Sequence, residues 1–140
     1  LTAPFNFYGA SAGFSIIGRT ADYITDLPQN GTVVNRNWAA GHRSTVLRFL
    51  AAFNKGVSWF YDDRNREEAI NVLVTTGNLK RDEVAKSYDF FRKGEFFEPT
   101  GSVSKGKIRA VTRVLEGLGD LPSNIDVEKL FLPGVTKVVD

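Results

Sequence analysis

Asn35, Arg36, Asn37 and Trp38 set two carboxamides, a guanidinium and an indole side by side. They follow Thr32, Val33 and Val34, β-branched residues that read as a short strand. If the strand continues, its period of two sends Asn35 and Asn37 to one face and Arg36 and Trp38 to the other. An arginine beside an aromatic ring suits a bound sulfonate, phosphate or carboxylate, held by paired hydrogen bonds and stacking. The plainer alternative is an exposed arginine lying over a packed tryptophan.

Other reactive types are sparse. There is no cysteine, so thiolate catalysis, disulfides and cysteine-based metal sites are excluded. His42 is the single histidine and cannot by itself form the usual multi-histidine metal site; before a helix it reads as a cap or surface group. Ser44 has no base near it in sequence and no G-x-S-x-G around it, and reads as an N-cap. Asp82, Glu83, Glu95 and Glu98 have no spacing that separates acid–base work from solvated charge. Gly9, Gly13 and Gly18 do not form G-x-G-x-x-G, so a dinucleotide is not expected. No cofactor and no metal are called for. Phe90, Phe91, Phe96 and Phe97 form an aromatic cluster that reads as core or a loop anchor, with a contact patch as the alternative.

The elements that must position these groups change character along the chain. The first 40 residues read as short strands at 14–17 and 32–34, with a third at 23–25 and a Pro-Gln-Asn-Gly turn at 27–31. Helical periodicity follows. Val46, Phe49, Leu50, Phe53 and Val57 make one apolar stripe. A second helix opens at Asn65 with Glu68 three residues on, close to a capping box, and buries Ala69, Ile70 and Leu73 before Gly77. A third runs from Arg81 to Lys93 with Val84, Tyr88 and Phe91 on one face. Residues 95–106 read as a loop. A fourth helix uses Ile108, Val111, Leu115 and Leu118 and ends at Gly119, and a brief helical turn is expected near Val127 to Leu130. Residues 135–140 read as a tail.

The chain has 140 residues, enough for one domain with a core and expected to be too few for two. Eighteen Lys and Arg against sixteen Asp and Glu leave a net charge of +2, a mixed surface that does not call for nucleic acid. No apolar stretch approaches the roughly 20 residues of a membrane span. The start at Leu1 shows no basic, then apolar, export leader and is expected of a chain processed or cut from something longer. Four amphipathic helices with two or three isolated strands lack a sheet to cover them, so either the helices pack on each other or strands are missing, and the second fits the start at Leu1 better.

Residues 32–73 resemble the nitrate/sulfonate/taurine-type solute-binding proteins of ABC importers, whose relatives include thiamine-precursor-binding proteins. The matching positions are Val33, Val34, Asn35, Arg36 and Trp38; then Phe49, Leu50, Ala51, Ala52, Gly56 and Trp59; then Asn65, Glu67, Glu68, Ala69 and Ile70. Leu1, Thr2, Ala3, Pro4 and Phe5 resemble the end of an upstream strand of that family, and Gly13 and Phe14 its continuation. Residues 94–101 and 118–121 resemble its late loop and final segment.

The resemblance implies an α/β fold, part of a bilobed type II periplasmic-binding-protein architecture, here a few short strands followed by four helices. Residues 1–38 would end the second lobe and supply the crossing hinge strand, with residues 32–38 recrossing between lobes. Residues 39–140 would form the helical C-terminal portion of the first lobe. Pro4, Phe5 and Asn6 would follow a strand end and line the cleft, or form a turn that packs Phe5 and Phe7. Asn35, Arg36, Asn37 and Trp38 would contribute from the hinge.

The implied function is extracytoplasmic, periplasmic binding of a small anionic or aromatic solute for import, without catalysis. The implied partners are the ABC permease subunits and the remaining N-terminal half of the same protein, and the fragment alone is expected to self-associate. A pyrimidine-synthesis enzyme of a thiamine pathway on the same fold is the alternative, and a helical interaction domain a third.

Overall fold

A computed structural model describes residues 1–23, 28, 31–94 and 96–140. In chain order the elements are α1 (Phe5–Ser11), α2 (Thr20–Tyr23), α3 (Arg36–Gly41), α4 (Arg43–Tyr61), α5 (Arg66–Gly77), α6 (Arg81–Lys93), β1 (Ser102–Ser104), α7 (Lys105–Leu118) and β2 (Lys137–Val139). Single 3-10 turns lie at Asp63–Asn65 and Val127–Leu130. Mixed helix and a small parallel sheet make the chain α/β in the broad sense. It divides into two units: Leu1–Arg19 with Lys55–Pro99, and Thr20–Asn54 with Thr100–Asp140.

The first unit is built on α5 and α6. Glu67 and Glu68 in the first turn of α5, and Asp82 and Glu83 in that of α6, complement the positive helix ends. Arg92 and Lys93 do the same at the far end of α6. Asn78 ends α5 in the left-handed conformation, which asparagine tolerates better than most residues. Between the helices Ala69, Ile70, Val84 and Tyr88 form a buried cluster, with Phe60, Val74, Leu79 and Ala85 packed around it. Arg66 and Asp89 clasp α5 to α6 by two hydrogen bonds of 3.1 and 2.8 Å. Helix α1 joins α6 through the Ser11 hydroxyl, which donates to Glu83 at 2.6 Å, and through a Phe7–Phe90 edge contact.

The second unit contains β1, α7 and β2. The strands run parallel, pairing Ser102 with Lys137, Val103 with Val138 and Ser104 with Val139. Parallel neighbours need a long crossover, and α7 with the turn at Val127–Leu130 supplies it. Ser104 ends the strand and caps the helix, its hydroxyl accepting from the Lys107 N–H at 3.2 Å. Arg43 donates to the carbonyls of Pro133 and Gly134, tying the start of α4 to the segment that leads into β2.

Three expectations need correction. Residues 14–17 and 32–34 are not strands but irregular, exposed segments, because nothing among the described residues pairs with them. Residues 36–38 belong to α3, so the strand expected through Trp38 is not formed. The sheet instead uses residues read as loop and tail, and helices precede it. Tyr23 lies in α2, while the rest of the strand expected at 23–25 falls outside the described residues, as does most of the turn at 27–31. The chain passes between the two units near residues 19, 54 and 99.

Much apolar surface stays open. Phe14 is 73% exposed, Ile17 98%, Val33 93% and Phe49 51%. The chain exposes 10236 Å². Two wholly separate compact bodies of half this mass would expose only about 8,700 Å² between them.

Replacing Ile70 by alanine should cost about 2–5 kcal/mol in urea denaturation. Tyr88→Phe should cost about 1–3 kcal/mol by leaving the Phe60 carbonyl without its donor. Leu118→Ala, at an exposed position, should change stability by about 0.5 kcal/mol or less. Equal effects for Ile70 and Leu118 would refute this placement of the core.

Candidate functional site

Asn35 decides the local structure of the group expected to bind a solute. Its side-chain oxygen accepts from the Trp38 N–H at 3.0 Å, and its carbonyl accepts from the Ala39 N–H at 2.9 Å. Those are the bonds of an N-cap, so the chain turns into α3 at Arg36. In a helix residues two apart leave on nearly opposite sides, so Arg36 and Trp38 do not share a face. The arginine-beside-indole arrangement is therefore not formed.

Each member of the group finds a different partner. Arg36 Nη2 donates to the Lys129 carbonyl, leaving Nε and Nη1 uncommitted among the described residues. Trp38, 44% exposed, stacks on His42 one helical turn on, with ring centres 4.5 Å apart and planes 5° from parallel. The His42 Nδ1–H donates to the Trp38 carbonyl at 2.8 Å, which fixes the imidazole at the end of α3. Asn37 is exposed. Thus His42 does cap a helix, whereas Ser44 does not; it falls inside α4, whose first bonds run to the His42 carbonyl.

Pro4, Phe5 and Asn6 lie in the other unit, at the start of α1 and not at a strand end. Pro4 is the N-cap residue and Phe5 points largely to solvent. Asn6 is the one with chemistry to offer: its side-chain oxygen is buried and has no hydrogen-bond partner among the described residues.

The phenylalanine cluster resolves into an anchor. Phe96 and Phe97 pack edge-on at 5.1 Å, Phe91 joins Phe96 at 4.6 Å, and Phe60 meets Phe97 at 5.5 Å. The Tyr61 hydroxyl donates to the Phe97 carbonyl and accepts from its N–H, both at 2.9 Å. Of the acidic residues weighed for catalysis, Glu83 is taken up by Ser11 and Lys86, and Glu95 falls outside the described residues. Among the described residues no three His, Asp or Glu side chains gather as a metal site would require.

A cleft of about 310 Å³ opens in the second unit, between α7 and residues 124–128. Arg109, Thr112, Arg113 and Glu116 line one wall, and Asn124, Asp126 and Glu128 are on the other. The sequence reading used only the apolar face of α7. The signal for the cleft was its polar face, where 109, 112, 113 and 116 recur at helical spacing.

Two carboxylates are held below their ordinary range. Asp62 is lowered to about 2, first by side-chain hydrogen bonds from Arg64 and then by the Arg64 backbone N–H. Glu83 is lowered chiefly by the Ser11 hydroxyl, against the opposing effect of burial, with Lys86 assisting. No protein-family model matches the chain, and neither does a curated protein or a solved structure.

A carboxylate whose folded pKa is depressed stabilises the fold above its unfolded value and loses that contribution as pH falls through the folded one. The share held by Asp62 should accordingly disappear between about pH 4 and pH 2. In Arg64→Ala the Asp62 carboxyl should titrate clearly above 2 in carbon-detected NMR, moving toward its ordinary 3.8 without reaching it, because the backbone N–H at position 64 still donates. A carboxyl still titrating near 2 in that variant would disprove the pairing.

Proposed function

We propose that this chain is the C-terminal part of a bilobed solute-binding protein of the nitrate/sulfonate/taurine type. In this reading it works outside the cytoplasm, closes on a small molecule and hands it to the permease of an ABC importer. It is a binding module and not an enzyme.

The observation that carries the reading is the open apolar surface. Burying a side chain such as Phe14, Ile17 or Phe49 is worth about 1.5–3 kcal/mol each, so leaving many in water forfeits most of a small domain's stability. Further polypeptide of the same protein, supplying the strands against which these residues pack, removes that deficit. The resemblance at residues 32–73 names the family of such a fold. For the solute, Arg36 offers two donors uncommitted among the described residues.

The test is a thermal-shift series on the complete protein with taurine, ethanesulfonate, nitrate and an aromatic carboxylate. A true solute at about 100 times its Kd should stabilise by about 2.7 kcal/mol, and Arg36→Ala should shrink that shift. In parallel, hydroxyl-radical labelling of Phe14 and Phe49 should fall sharply in the complete protein relative to this chain alone. Unchanged labelling together with no thermal shift would reject the proposal.

A further inference from the structure

The cleft between α7 and residues 124–128 shares no residue with the group around Asn35 or with Pro4 to Asn6, and its chemistry stands apart from the solute reading. Most of its charges are already spent. Glu128 accepts from Lys105 at 3.0 Å and from Arg109 at 3.3 Å. Asp126 caps the turn at Val127–Leu130 and meets Lys129 at 3.4 Å. Two charges are not. Arg113 has no hydrogen-bond or ion-pair partner among the described residues, and Glu116 commits one oxygen to the Ile125 N–H at 3.0 Å. They stand three apart on one helix, a spacing that commonly pairs, yet no ion pair joins them.

We propose that this cleft binds a small zwitterion of amino-acid size, its carboxylate on Arg113 and its ammonium on Glu116. The charge pattern selects that class. A plain anion would face Glu116, Asp126 and Glu128; a plain cation would face Arg109 and Arg113. A molecule carrying both charges satisfies the unpaired arginine and the half-used carboxylate together. The arginine fork matches a carboxylate in two parallel bonds. The volume, about ten waters' worth, lies at the small end of ligand sites and admits a short chain only. Asn124 adds a carboxamide at the rim, held there by a left-handed backbone at φ 66°.

The experiment is an amide NMR titration of the chain with β-alanine, propionate and propylammonium. β-Alanine should shift the Arg113, Asn124 and Ile125 amides saturably, with a Kd below about 10 mM. Propionate and propylammonium should each bind at least tenfold more weakly. Arg113→Gln and Glu116→Gln should each weaken β-alanine tenfold or more without lowering the melting temperature, since the carboxamide that replaces Glu116 keeps an oxygen for the Ile125 N–H. The inference is overturned if propionate binds as well as β-alanine, if the amides stay unmoved up to about 100 mM, or if both variants bind as the natural chain does.

Discussion

The end of a helix leaves its last carbonyls without partners inside the helix, and the first unit is organised around meeting that demand at the end of α4. Three successive carbonyls there are each taken by a side chain from later in the chain. Asn65 donates to Trp59 at 3.0 Å, the Tyr88 hydroxyl to Phe60 at 2.8 Å, and Arg92 to Tyr61 at 2.9 Å. Tyr88 has no exposed surface, so its hydroxyl could not be buried without such an acceptor. Arg66 and Arg92 then lie 5.8 and 6.0 Å from the centre of its ring. The buried phenol thus joins the α5–α6 pair to the helix before it.

The same demand explains why one sequence signal misled. Asn65 with Glu68 has the spacing of a capping box, yet Asn65 makes no side-chain cap because its amide is engaged at Trp59. A motif read locally lost to a partner six residues upstream. Elsewhere local signals sufficed. Helix α6 runs from Arg81 to Lys93 and the turn from Val127 to Leu130, as their periodicity and flanking residues indicated. Helices α5 and α7 ended where Gly77 and Gly119 placed them.

What stayed illegible was short or dependent on distant contacts. Helices α1 and α3 have seven and six residues, too few for a period to register. Strands β1 and β2 have three residues each, and neither could be known without the other. At Asn35 a single cap overrode the β-branched run before it, and that changed the candidate site, because a helix separates what a strand would have set side by side. The cleft beside α7 escaped notice because charged helical faces are ordinarily just solvated, and only the fold of residues 124–128 makes this one concave.

The parallel pairing of β1 with β2 also sets an order of events during synthesis. Helix α7 needs only its own residues and can coil as soon as they leave the ribosome. Its preceding strand must wait for Lys137, Val138 and Val139, and closing that loop of about thirty residues costs entropy that no local contact repays. Until then Val103 and its neighbours offer unpaired backbone to any passing extended chain.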